Sequence, residues 1–179
     1  MAITKQSIGK IAERIVMNEL EFRGYRATDL NKDGLSANSD ILAAKDGKTW
    51  QIQVKGATNK EADRWWVQYG HCSIENIAHQ AAIFNSKDSF YIAQYVAFVA
   101  VRSPWNYRCF ILPVSKAEKA AQINLDRYYR KPKKLDGGVR KPGKIWVAIE
   151  KSDKERRNDP SLDEERAILQ RSQDDWHLR

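Results

Sequence analysis

Thr49-Trp50-Gln51-Ile52-Gln53-Val54-Lys55 is a strand around which the other elements of the chain can be placed. Successive strand side chains point to opposite faces, so Trp50, Ile52 and Val54 share one face while Thr49, Gln51, Gln53 and Lys55 share the other. The first face is core. The second, a row of amides ending in an amine, needs water or a ligand, because unpartnered buried amides and ammonium groups are costly. Just upstream, Lys45-Asp46-Gly47-Lys48 contains the Asp-Gly pair of a tight hairpin, and Ser39 to Ala44 is a second strand-like run. Closing that hairpin carries Asp40 towards Gln53 and Lys55, gathering a carboxylate, an amide and an amine.

Further upstream, Thr4 to Arg23 places Ile8, Ile11, Ala12, Ile15, Val16 and Phe22 on one broad helical face that packs on the sheet. Gly24 fits a C-terminal cap, with apolar contact resuming at Tyr25. Two of the glutamates on this helix merit separate readings: Glu19 lies within the Ile8/Ile15 stripe, and Glu13 at its edge beside Gly9, Met17 and Leu20. Helical position alone does not choose between them. Tyr25 to Leu30 reads as the first strand, and the polar stretch Asn31 to Asn38 is a loop leading into Asp40.

Downstream, Gly56 ends the third strand and Trp65 to Tyr69 reads as a short strand with its aromatics in core or rim packing. Ser73 to Phe84 has a helical apolar face and carries His79, which, like His71, reads as a surface or packed histidine. Phe90 to Val101 and Tyr107 to Val114 are aromatic and β-branched, and the turn between them predicts an antiparallel hairpin of buried strands. Ser115 and Glu118 form a capping-box pattern that opens a helix running to about Tyr129. A last strand follows at Ile145 to Ile149, and a closing helix starts near Pro160, with so few apolar residues that it docks loosely or on a partner subunit. The pattern describes residues 1–150 as one α/β domain and 151–179 as a charged helical tail.

The chain has 179 residues, enough for one sizeable core. No apolar run is long enough to span a membrane and the first residues lack the apolar core of a secretory signal, so the reading is cytoplasmic. Cys72 and Cys109 stand in no metal-binding spacing, which leaves reduced thiols as the default. Formal net charge is +8. Much of the excess falls in a loop, residues 127–144, broken by Pro132, Gly137, Gly138, Pro142 and Gly143 and holding a single acid, Asp136. Arg130, Lys131, Lys133, Lys134, Arg140 and Lys141 there suit a phosphate backbone, since neutralising phosphates releases counterions. A solvated loop kept soluble by its charge is the blander reading.

Phosphodiester cleavage near neutral pH needs a metal to polarise the phosphate and activate water, oxygen ligands to hold it, and often an amine to position the attacker. Asp40, twelve intervening residues, then Gln53-Val54-Lys55 resembles the PD-(D/E)XK nuclease superfamily, whose motif is an Asp on one strand and Glu-x-Lys on the next. Gly9-x-x-x-Glu13-Arg14 followed by Gly24-Tyr25, with the block Asp40-Ile41-Leu42-Ala43-x-Lys45-Asp46-Gly47, looks like archaeal Holliday-junction resolvases of that superfamily. The likeness covers about Gln6 to Gly56. It implies a restriction-endonuclease-like αβββαβ core, a central mixed β-sheet flanked by helices. It also implies Glu13, Asp40 and Gln53 as ligands of Mg²⁺, with Mn²⁺ able to substitute, and Lys55 as the water-orienting amine. Through it the choice of helical glutamate falls on Glu13. Ser39 stands where the family has proline and Gln53 where it has an acid; the latter removes a negative charge from the metal site, although Gln at this place also occurs within the superfamily.

Two functions of different class follow as expectations. The first is a Mg²⁺-dependent DNA endonuclease of restriction, repair or junction-resolving type, with RNA as the weaker alternative substrate. The second is a non-catalytic nucleic-acid-binding or assembly subunit that keeps the nuclease fold. The resolvases that the chain resembles are dimers, which makes a homodimer the implied assembly.

Overall fold

A computed structural model describes residues 5–31, 39–58, 64–68, 90, 92–103, 105–130, 144–148 and 160–179. Helix α1 (Lys5–Phe22) is followed by strands β1 (Arg26–Asp29), β2 (Ile41–Lys45), β3 (Lys48–Ala57) and β4 (Arg64–Gln68). Then come β5 (Tyr95–Ser103), β6 (Asn106–Pro113), helix α2 (Val114–Arg130), β7 (Lys144–Ala148) and helix α3 (Ser161–Gln170). Five strands form one sheet in the order β1-β2-β3-β5-β6, parallel between β3 and β5 and antiparallel elsewhere. β4 and β7 pair as a separate two-stranded ribbon. This is the expected α/β class, a mixed sheet flanked by helices. The helix expected at Ser73 to Phe84, His71, His79 and Cys72 lie outside the described residues, as do Lys131, Lys133, Lys134, Arg140 and Lys141.

The β2–β3 hairpin forms as its sequence dictates. Asp46 and Gly47 both take positive φ, 50° and 74°, the pair of left-handed residues whose twist matches that of two strands joined by a two-residue turn. Alternation along β3 then sorts its side chains. Trp50, Ile52 and Val54 join a core with Ala12, Ile15, Val16 and Leu20 of α1. In the neighbouring strand Tyr95, Ala97 and Val99 belong to that same core, whereas Val96, Phe98 and Ala100 face a second one with Ala117, Ala120, Ala121 and Leu125 of α2. Gln53 and Lys55 pair in register with Val96 and Phe98, so they project on the α2 side.

Three sequence expectations are corrected. Phe22 is 90% exposed and Leu20 is fully buried in its stead; the buried arc of α1 centres on Ala12 and Val16, and Phe22, the last helical residue, falls beyond its edge. Gly24, with φ 79°, does end the helix: its N–H reaches Glu21 O and that of Tyr25 reaches Leu20 O. Gly56 does not end β3. It is the point where α1 rests on the strand, since a Cβ there would meet Ala12 Cβ at 2.9 Å and Ile8 O at 3.0 Å. The last strand, β7, joins β4 and leaves the central sheet at five strands.

The third correction concerns the closing segment. Leu162, Glu165 and Leu169 of α3 are buried, and Asn124 Nδ2 of α2 donates to Glu165 Oε1 at 2.6 Å. Beyond α3 the chain lies along the outer edge of β6, where Ile111 N donates to Ser172 O and Asp174 N to Cys109 O, both at 3.0 Å. This covers the backbone groups that an edge strand otherwise leaves open. Trp176 and Leu178 then enter the α1-side core. Trp65, on the other side, is 1% exposed and donates to Val99 O at 3.1 Å, which is the packing role expected of it. Among the described residues no helix is long and apolar enough to cross a membrane.

Candidate active site

β2 pairs with β3 only as far as Ile41 opposite Ile52, while β3 runs on to Ala57. Past that point the β2-side backbone groups of β3 need another partner. Asp40 supplies it: its Oδ2 accepts from Val54 N at 2.7 Å and also from Gln53 Nε2. The backbone of Asp40 is fixed on both sides, donating to Ile52 O and accepting from Leu30 N, each at 3.0 Å. Asp40 therefore sits in the notch where the hairpin strands part, with its carboxylate against the amide of Gln53.

The polar face of β3 is less solvated than its sequence suggests. Gln53 is 6% exposed, and its Oε1 is buried without a hydrogen-bond partner among the described residues. An orphaned buried oxygen costs on the order of 1–3 kcal/mol, so its persistence beside a carboxylate needs a reason. Lys55, half-buried, is two residues further along the same face, about 7 Å by strand rise. Gln51 is committed elsewhere: its Oε1 accepts from the buried Ser39 hydroxyl at 3.2 Å, and its N–H donates to Gln94 Oε1 at 2.7 Å.

Glu13 stands on α1, which packs on the Trp50, Ile52 and Val54 face of β3, and the charge of Asp40 acts on it. Burial, the largest influence, raises its pKa; the hydrogen bond from Lys10 opposes this, and the nearby charges of Asp40 and Asp29 push upward again. Lys10 Nζ lies 2.8 Å from Glu13 Oε2. Glu19, the other helical candidate, is engaged away from Asp40. It accepts from the Tyr107 hydroxyl and pairs with Arg23. Burial would raise the Glu19 pKa, but the Tyr107 hydrogen bond and then the hydrogen bond and charge of Arg23 outweigh it, and the carboxyl is held low. The same bond, with burial and the Glu19 charge behind it, pushes the Tyr107 phenol up to about 12.

Sequence reasoning missed Asp29 and Asn31. Asn31 Nδ2 donates to Asp40 Oδ1 at 3.0 Å, and Asn31 N donates to Asp29 Oδ1 at 2.8 Å. The end of β1 thus orients Asp40 through an Asx turn, and Asp29 adds a carboxylate to the field at Glu13. The Asp-x-Asn spacing at 29–31 was the available signal. Of the basic residues expected to meet nucleic acid, Arg130 is the final residue of α2 and the other five lie outside the described residues.

The donor chemistry fits a hard cation, which takes oxygen ligands: Asp40 Oδ1 accepts a single described donor, and the orphaned Gln53 oxygen is alongside. The carboxylates are not drawn into one shell, however. Among the described residues no three of His, Cys, Asp and Glu are grouped closely enough to hold a metal ion. No protein-family model and no curated protein matches the chain. Among solved structures the chain is similar to a bacterial homing endonuclease, I-Ssp6803I, with a TM-score of 0.44 and 14% identity over 96% of this chain and 95% of that one. At that level the likeness assigns no residue a role.

Proposed function

We propose that this chain is a divalent-metal-dependent endonuclease acting on DNA, with its site in the notch between β2 and β3. The observation that supports it most is the buried, unpartnered oxygen of Gln53 beside the Asp40 carboxylate. Such an oxygen is an acceptor without a donor, and a cation relieves it. In this reading Asp40 and Gln53 hold Mg²⁺ or Mn²⁺ through side-chain oxygens, and Glu13 completes the set from α1. The bound metal supplies charge to polarise a phosphodiester and lower the pKa of water. Lys55, on the same strand face, orients the attacking water, and Asn31 keeps Asp40 in place. The chain's formal net charge of +8 suits a polyanionic partner. The assembly proposed is a homodimer, since cutting both strands of a duplex takes two sites.

One set of observations favours the alternative, a nucleic-acid-binding subunit without catalysis. Asp40 Oδ2 already accepts two donors, and the carboxylates are not grouped for a metal. The deciding experiment incubates linear, nicked and branched DNA and an RNA duplex with the full chain in Mg²⁺ or Mn²⁺. Asp40→Ala and Lys55→Ala are each expected to lower cleavage at least a hundredfold. Salt-sensitive DNA binding with no cleavage in either metal would instead establish the binding subunit.

A further inference from the structure

Lys10 takes no part in the chemistry above, yet its ammonium stands among the same carboxylates. The hydrogen bond to Glu13 is the main influence raising its pKa, burial opposes it, and the charges of Glu13, Asp29 and Asp40 all add to the rise. The two partners are unequally placed. The Lys10 side chain is 49% exposed and that of Glu13 only 13%, so the lysine reaches in from water over one helical turn, the i,i+3 spacing that brings side chains together. A lysine displaced from this bond returns its head group to solvent at little cost. The Glu13 carboxylate has no such exit.

The pair at the C-terminal end of the helix behaves differently. Arg23 bonds both the carboxylate and the backbone oxygen of Glu19 and stacks on the Trp176 ring, 5.0 Å from its centroid. Its removal would leave several groups without partners. Lys10 bonds Glu13 alone among the described residues, while Gln53, whose Nε2 donates to Asp40, keeps a buried Oε1 with no hydrogen-bond partner among them.

We infer that Lys10 is a resident counter-ion, the group that a divalent cation displaces from Glu13 when Glu13 is drawn towards Asp40 and Gln53. The inference rests on the metal-site reading given above. It makes Lys10 a positioning residue that sets metal affinity by competition and touches neither water nor phosphate. Arg14 provides a control: it carries the same charge on the same helix and is exposed.

The test is a titration of the metal-free full chain with Mn²⁺ alone, without DNA, with free Mn²⁺ followed by electron paramagnetic resonance. Lys10→Met is expected to tighten Mn²⁺ binding roughly fivefold, the scale of a half-exposed ion pair. Lys10→Gln is expected to do the same, and Arg14→Met to change it less than twofold. Equal tightening by Lys10→Met and Arg14→Met would reduce the effect to general charge and overturn the inference. Unchanged or weaker binding in both Lys10 variants, with binding abolished by Asp40→Asn, would overturn it and leave the metal site standing. No Mn²⁺ binding by any of these proteins would overturn the inference and the metal-site reading together.

Discussion

Helix α1 carries Glu13 at its middle and Glu19 in its last turn, and the surroundings treat the two carboxylates in opposite ways. At the C-terminal end Glu19 is satisfied by the Tyr107 hydroxyl and Arg23, and its carboxyl is held below the ordinary range. At mid-helix burial and the charges of Asp40 and Asp29 raise Glu13, in spite of Lys10. The first arrangement stabilises the fold when ionised; the second is strained when ionised. Groups that lower stability where they stand are the ones whose retention asks for a function. Glu19 ties α1 to β6, and Glu13 stands within the field of Asp40 and Asp29.

The difference is open to attack, most sharply by Gln53→Glu. A second carboxylate against Asp40 at a site only 6% exposed is expected to lower metal-free stability by about 2 kcal/mol at pH 7, because adjacent like charges cannot both ionise cheaply. Millimolar Mn²⁺ should restore most of that loss, read as a thermal shift with and without chelator. A loss that Mn²⁺ leaves untouched would break the claim that the surroundings of Glu13 are built for a cation.

Gly56→Ala probes the same surroundings mechanically. Its Cβ would press on Ala12 Cβ and on the Ile8 backbone oxygen, neither of which can swing aside, at an expected cost of about 1–3 kcal/mol in urea unfolding. Cleavage should fall further than stability explains, since the shift moves Lys10 and Glu13 and leaves Glu19 tied.

Glu19→Gln is expected to cost about 1 kcal/mol at pH 7 and leave cleavage within twofold. The depressed carboxyl contributes stability above its unfolded value of about 4.3 and loses it as pH falls through the lower folded value. The variant's penalty should therefore shrink as pH falls below about 4.3 and through the lower folded value. At the alkaline side Tyr107, raised to about 12, contributes stability that is full below about pH 10 and lost as pH rises towards 12.

Glu13→Gln should have the opposite sign and the smallest size. A raised carboxyl favours the fold when protonated, so its contribution is present at acid pH and lost as pH rises through the folded value. Neutralising it is expected to stabilise the protein at pH 7 by a few tenths of a kcal/mol, after solvent screening, while cleavage drops. Destabilisation at pH 7 by Glu13→Gln, matching that of Glu19→Gln, would erase the distinction between the two carboxylates.

Much of the site was legible from local pattern. Period-two alternation in β3 and the Asp-Gly turn fix which residues oppose one another, so the meeting of Asp40 with Gln53 follows from the hairpin. Asp29 and Asn31 were not legible, because their value depends on β1 ending beside the Asp40 carboxylate, a contact across a loop that no local period encodes. The closing segment was misjudged for the same reason. Trp176 and Leu178 have little helical or strand context of their own, and their burial comes from Tyr25, whose hydroxyl donates to Trp176 O and accepts from Leu178 N.

The α/β class, the hairpin and its turn, and which side chains of β3 and most of α1 face the core all follow from residue spacing within single elements. Packing between elements alone fixes that the charges of Asp40 and Asp29 act on Glu13, that Gly56 is the seat of the helix and that the buried Gln53 oxygen has no hydrogen-bond partner among the described residues. Each depends on how closely one element approaches another, a distance set by packing, and no single element carries that information in its own pattern.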